Sequence, residues 1–171
     1  RLQAVLSYIV HSDQTGYVKN ILEKYIGCNV RNIIDIYEHC ENNNLDGAII
    51  SIDFKKAFDS LEHNFLYAVL EKFNFGKKFI TWVQMAYSSP SFWVKNNGWI
   101  SCKYKMERGI RQGCPLSALL FIICTEIMST KIRSDSDFEG IKYGGYDHRI
   151  VQYVDDAMIF AKSKDAVERS I

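Results

Sequence analysis

With 171 residues, 47% of them apolar, the chain has the material for one domain with a substantial core. A formal net charge of +1 excludes recognition of a polyanion by bulk charge, so any such recognition must come from local clusters. Five cysteines (Cys28, Cys40, Cys102, Cys114 and Cys124), with no C-x-x-C pair, speak against a disulfide framework or zinc knuckle and for a reducing, intracellular setting. The longest apolar run, "LSALLFIIC" at 116–124, is too short to span a bilayer, and no membrane role is expected. The chain opens "RLQAVLSYIV", with neither Met nor signal peptide, as a fragment would.

Residues 1–10 carry Leu2, Val5, Leu6 and Ile9 on one helical stripe, and "HSDQTG" (11–16) reads as a loop. A helix is expected from about Asn29 with Val30, Ile33, Ile34 and Tyr37 inward, ended by "NNNLDG". "GAIISIDF" (47–54) reads as a mostly buried strand ending in an acid. Asp59 and Glu62 suggest a capping box for a helix with Leu66, Val69, Leu70 and Phe73 on its stripe. A further helix over about 77–88 places Phe79, Trp82, Val83 and Ala86 together. Asn97-Gly98 between two strand-like runs predicts a hairpin over 91–106. Pro115 suits the first turn of a helix running to about Ser129. "GIKYGGYDHRIVQYVDDAMIF" supplies two or three more strands, and the last residues begin a helix. Strands and helices mixed without regular alternation point to an α+β fold with a largely antiparallel sheet.

The chemistry concentrates in "VQYVDDAMIF" (151–160), where Asp155 and Asp156 sit between two oily runs. Taken alone, an Asp pair between strands is ordinary turn chemistry. Here two adjacent like charges repel, partial burial sharpens that repulsion, and no Gly eases a tight turn. A second strand, "IISIDF", also ends in an acid, Asp53. Divalent cations resolve such repulsion: Mg²⁺ takes hard oxygen ligands, typically one or two carboxylates plus substrate phosphates. Two ions about 4 Å apart can activate a hydroxyl nucleophile and stabilise a leaving group. Asp59 is explained as a helix cap, and Asp35, Asp46 and Asp147 by surface or loop positions.

"DFKKAFDS" (53–60), "RGIRQGCPLSALLF" (108–121) and "YVDD" (153–156) occur in the order and context of reverse transcriptases. With "HSDQTGYVKN" (11–20) upstream, the chain most resembles the non-LTR, LINE-type retrotransposon branch along nearly its whole length. The resemblance implies a right-hand polymerase fold with palm and fingers, an antiparallel palm sheet packed on helices, and no thumb within this segment. It implies one reverse transcriptase core, fingers-like over about 1–46 and 74–110 and palm over 47–73 and 111–171. Asp53, Asp155 and Asp156 would be the catalytic and metal-binding acids, holding two Mg²⁺ ions, with Mn²⁺ as a substitute. The implied reaction is nucleotidyl transfer: a primer 3′-hydroxyl attacks the α-phosphate of a dNTP on an RNA template. RNA template, DNA primer and dNTPs are the expected partners, and an intracellular, nuclear location goes with the branch. The resemblance says nothing of oligomeric state.

Within the same resemblance, Phe54, Phe58, Gln112 and Gly113 would bind the nucleotide. Phe58 matches the aromatic that excludes a 2′-hydroxyl, although a lone Phe is otherwise ordinary core. Gly113 lets the backbone approach closely and Gln112 offers a donor and an acceptor. Gln14, Gly16, Lys19 and Arg111 would lie along the template, with a solvated surface role an equal alternative for Arg111. Val154 stands where the branch often has Ala, and Ala118 where it often has Pro. The branch's basic fingertip segment, thumb and endonuclease have no counterpart within these residues, so the isolated segment is expected to be weakly active or inactive. Lysines and arginines are frequent between residues 55 and 111, and a positive face there would track phosphates. Two rival functions are weighed: a polymerase-inactive RNA-binding or maturase-like remnant of the same fold, and a two-metal nuclease. Intact acids argue against the remnant, and "RQGCPLS" has no role in a nuclease.

Overall fold

The computed structural model describes residues 2–18 and 26–163. In chain order the elements are α1 (Leu2–Ile9), α2 (Ile26–Asn42), β1 (Ala48–Asp53), α3 (Ala57–Ser60), α4 (His63–Lys72), α5 (Lys77–Tyr87), β2 (Ser91–Phe92), β3 (Lys95–Asn96), β4 (Trp99–Ile100), β5 (Tyr104–Lys105), α6 (Pro115–Ser134), β6 (Ile141–Tyr143), β7 (Tyr146–His148), β8 (Ile150–Tyr153) and β9 (Asp156–Ala161). All strand pairings between these elements are antiparallel. The chain divides into two compact units, residues 1–54 with 122–171, and residues 55–121.

The first unit is built on a three-stranded sheet in the order β1-β9-β8. Its register pairs Asp53 with Asp156, Ser51 with Met158 and Ile49 with Phe160; on the other side of β9, Tyr153 pairs with Asp156 and Val151 with Met158. Directly paired residues share a sheet face and alternate residues switch faces. One face therefore carries Phe160, Val151 and Met158, and at its end Asp53, Asp156 and Tyr153. Phe160 and Val151 bury against Ile36 of α2 and Ile141 of β6, with Ile33, Cys40 and Tyr143 around them. The opposite face carries Gln152, whose side-chain oxygen accepts a hydrogen bond from Ser129 of α6.

The sheet's two edges differ. β8 is covered by the loop before α2: the Gln152 N–H donates to the Asp13 carbonyl at 2.9 Å, the Thr15 N–H to the Gln152 carbonyl at 3.1 Å, and Gln14 bridges Gln152 in parallel. Among the described residues no strand covers β1's outer edge. The mostly buried strand expected over 47–54 is accordingly half open: exposure alternates along β1, and Ile49 is 39% exposed. An edge strand lacks the second neighbour that would bury it.

In the second unit, α4 buries Leu66, Val69 and Leu70 as the periodicity requires. The stripe on α5 is Ile80, Val83 and Tyr87, so Trp82 and Ala86 point outward, with Trp82 65% exposed. The Asn97-Gly98 hairpin forms between β3 and β4, both turn residues having positive φ (47° and 84°) as a type I′ turn demands. The capping box does not form. Glu62 caps α4 without a side-chain bond, and Asp59 lies inside the one-turn α3, displaced from the capping position.

The stripe expected on α2 is also shifted. Val30, Ile34 and Tyr37 are exposed, while Asn29, Ile33, Ile36 and Cys40 turn inward; the seam begins on a polar residue that a search for apolar periodicity passes over. Val5 of α1 is likewise outside, with Leu6 buried. α6 runs past Ser129 to Ser134, its last turn carrying Lys131 and Arg133, which favour a helix C-terminus. At twenty residues it is long and apolar enough to cross a membrane, a test the core helix of a globular protein also passes; half of that stretch is buried inside the chain. The helix expected at the C-terminal end lies outside the described residues.

Candidate active site

Asp53 ends β1, Asp156 begins β9 opposite it, and Asp155 occupies the turn between β8 and β9. Antiparallel partners have Cα atoms about 5 Å apart, so the Asp53 and Asp156 carboxylates rise side by side on one face. Both are exposed and Asp155 is partly so. No described Lys, Arg or His forms an ion pair with any of the three. Among the described residues no three His, Cys, Asp or Glu side chains converge as a ready-made metal cage.

The turn itself departs from expectation. The two residues between the strands are Val154 and Asp155, not the acid pair, and Asp156 already belongs to β9. Val154 has φ +59°, and Asp155 is not in the positive region. Gly normally takes a position with positive φ. A β-branched residue there is an outlier costing of order 1–3 kcal/mol, held only where the surroundings impose it.

What surrounds it is the loop from Asp13 to Gly16. Gln14 is fully buried. Its Oε1 accepts the N–H of Val154 at 3.0 Å and of Gly16 at 2.9 Å, and its Nε2 donates to the Val154 carbonyl at 3.3 Å. Gly16 lies so close that a Cβ would fall 2.5 Å from Val154 Cγ2 and 2.7 Å from Val154 N. The loop is fixed in turn by Asn29, whose amide donates to Thr15 Oγ1 at 2.8 Å and to the Gln152 carbonyl at 3.0 Å. Arg133 holds Asp13 at 2.8 Å and reaches Glu126 with its other nitrogen. Burial pushes the Glu126 carboxyl above its ordinary range, Arg133 pulling it down and Asp13 adding to the rise.

In the second unit the two other motifs are stitched together. The Gly109 and Ile110 N–H groups donate to the Leu61 and Phe58 carbonyls, each at 2.7 Å, and His63 Nε2 meets the Gly109 carbonyl at 2.8 Å. Gly109 has φ +89° and a Cβ there would lie 2.8 Å from the Asp59 carbonyl oxygen. Gln112 Nε2 donates to Asp59 Oδ1 at 3.2 Å, so Asp59 orients a motif glutamine in place of capping a helix. Phe58 stacks on Phe121, ring centroids 5.1 Å apart. Gly113 has φ +75° immediately before α6. Burial raises the Cys114 thiol pKa, but the Leu116 and Ser117 N–H groups, the Ser117 hydroxyl and Arg111 outweigh it and leave the thiol below its ordinary value. This helix entrance therefore favours negative charge. Residues 55–121 hold ten Lys and Arg against four Asp and Glu, so the near-neutral total conceals a basic segment. Lys55, Lys56, Lys77, Lys78, Lys95, Lys103, Lys105, Arg108 and Arg111 are all exposed, and none forms an ion pair with a described residue.

Among the residues expected to line the template, Arg111 is exposed, Lys19 lies outside the described residues, and Gln14 and Gly16 are buried. The Gln14 amide is engaged by the turn and is not free for a template. Phe54, expected at the nucleotide, is partly buried at the end of the first unit. Sequence reasoning missed Val154, Gln152, Ser129, Asn29 and Arg133. Nothing in their residue types marks them, because their role is fixed by partners more than a hundred positions away or by a helix packed on the sheet.

Over residues 1–171 the chain matches the family described as reverse transcriptase (RNA-dependent DNA polymerase). It is 31% identical over 172 residues to the transposon TX1 uncharacterized 149 kDa protein of Xenopus laevis, covering 99% of this chain and 13% of that protein. It is 32% identical over 116 residues to a Pol polyprotein from the type-2 retrotransposable element R2DM of Drosophila melanogaster, covering 68% of this chain and 11% of that protein. The chain thus spans about an eighth of the TX1 protein's length. Telomerase from Candida albicans, solved with a TWJ fragment of telomeric RNA, superposes with a TM-score of 0.63 at 15% identity, covering 99% of this chain and 30% of that one. Apo telomerase from Candida tropicalis, truncated from its C-terminal domain, gives 0.60 at 17%, covering 99% and 34%. At such identity these structures speak for the fold alone, the right-hand polymerase fold. Reverse transcriptases generally use divalent metal ions and bind a nucleic-acid template. The chain belongs to the reverse transcriptase family and, within it, is a domain of the non-LTR retrotransposon kind.

Proposed function

We propose that the parent protein is an RNA-directed DNA polymerase and that Asp53, Asp155 and Asp156 are its catalytic acids. The single observation that carries this reading is the register pairing Asp53 with Asp156, with Asp155 adjacent in the turn and no described cation paired to any of them. Two Mg²⁺ ions on these carboxylates would supply activation of the primer 3′-hydroxyl and stabilisation of the departing pyrophosphate. The chain's own contribution is positioning. The ladder between β1 and β9 fixes the spacing of two acids, and the hairpin fixes the third. Phe58, Gln112 and Gly113 are assigned to the incoming dNTP. The ring of Phe58, braced by Phe121, would favour a deoxyribose, and Gln112, oriented by Asp59, would contact sugar or phosphate. The exposed basic residues of 55–121 suit a nucleic-acid backbone, and RNA template and DNA primer are the proposed partners.

The test is Asp155→Asn in the full-length protein, assayed by template-dependent dNTP incorporation. Incorporation is expected to fall by more than about a hundredfold, beyond the loss typical of residues that only support a metal ligand. Undiminished incorporation rejects the assignment.

A further inference from the structure

We infer that Gln14 is a positioning residue for the acid-bearing turn, acting through Val154, with Gly16 required so that the loop can lie against that turn. The reaction this serves is the polymerase reading above; the clamp itself can be measured without any reaction.

The chemistry is specific to an amide. The Val154 N–H and carbonyl are both bonded by the one side chain of Gln14, its Oε1 accepting and its Nε2 donating. Glu in this place could accept but not donate, and an apolar residue could do neither. Because the same Oε1 also accepts the Gly16 N–H, the side chain is locked to its own loop as well as to the turn. That loop does not depend on the turn for its position. It is hydrogen-bonded to β8 on both sides of Gln14, tied to α2 through Asn29 and to α6 through Arg133. Gln14 thus transmits the placement of a braced loop to a residue 140 positions away, whose left-handed backbone sets the direction in which Asp155 and Asp156 leave the hairpin. Full burial of Gln14 removes it from direct contact with a template. A conformation that Val154 would not keep unaided is what makes a dedicated holder necessary.

The experiment uses the full-length protein and its Gln14→Ala, Val154→Gly and doubly substituted forms. Amide hydrogen exchange over residues 150–158, without metal or substrate, reads the turn directly. Steady-state dNTP incorporation reads the consequence. Gln14→Ala is expected to speed exchange at the turn while leaving β6, β7 and residues 55–121 unchanged. It is expected to lower kcat about a hundredfold, the loss typical of an ångström-scale misplacement. The dNTP KM should stay within about threefold, the pattern of an interaction lost mainly in the transition state. With Val154→Gly, which adopts the left-handed conformation without being forced, the loss on removing Gln14 is expected to shrink, revealing coupling between the two positions.

Wild-type exchange at the turn in Gln14→Ala overturns the inference, as does a loosened turn with unchanged kcat, or loosening spread evenly over the chain. Equal losses in both Val154 backgrounds also overturn it. Should the unsubstituted protein incorporate no dNTP, the polymerase reading fails, and the exchange measurement still decides whether Gln14 holds the turn.

Discussion

The two edges of one three-stranded sheet deliver acids to the same end by opposite means. On the β8 side the edge is covered, its turn is strained, and loop, helix and hydrogen-bonded amides hold it from all round. On the β1 side Asp53 ends an edge strand whose only described strand neighbour is β9. A strand end needs no special conformation to point a carboxylate, because the pleat alternation does so from the register alone. A two-residue turn carrying a β-branched residue does need one. The bracing is concentrated where the backbone would otherwise relax.

Packing gives the widest contrast. Phe160 and Ile49 are register partners, yet Phe160 has no exposed surface and Ile49 is 39% exposed. Phe160→Ala is expected to destabilise by about 3–5 kcal/mol, the range for a buried aromatic. Ile49→Ala should cost less, about 1–2 kcal/mol, since roughly two-fifths of its area stays in water on folding. Urea unfolding of the two variants checks this, and equal losses would show that the edges are not different after all.

Exchange kinetics sharpen the comparison at smaller free energies. Amides of β9, flanked on both sides, should exchange far more slowly than the β1 amides that point to its outer edge. A slow β1 would mean that something covers that edge in solution.

The smallest expected effect lies in the brace behind the β8 loop. Burial raises the Glu126 pKa, so the folded chain holds that proton more tightly than the unfolded chain. Stability should therefore be fullest below the ordinary Glu range and decline from about pH 4 upward, until the raised folded pKa is passed. Glu126→Gln should flatten that decline in urea midpoints measured against pH, without altering residues 55–121.

Much of this was readable in the sequence where local chemistry dictates structure. Asn97-Gly98 announced its turn because few residue pairs accept two positive φ values. "IISID" announced a strand ending in an acid. Burial was less legible, because the face a helix hides depends on what covers it. Trp82 and Val30 sit outward on helices whose inward seams start elsewhere, one of them on Asn29. Least legible was the Val154 turn. Val is a poor residue for a left-handed conformation, and only Gln14, far away in sequence, makes the choice intelligible. The same distance explains why Gln14 read as a template contact from its motif while its amide is bound inside the fold.

The most direct test of the central claim, that carboxylates from β1 and the β8–β9 hairpin together hold the catalytic ions, is Mn²⁺ binding followed by electron paramagnetic resonance. It should be measured in the full-length protein with template-primer and dNTP, for wild type, Asp53→Asn and Asp155→Asn. The expected result is weaker binding in both variants by more than about tenfold, as loss of a ligand should exceed loss of a supporting group. Undiminished binding in both would contradict it and leave the hairpin acids without a metal to hold.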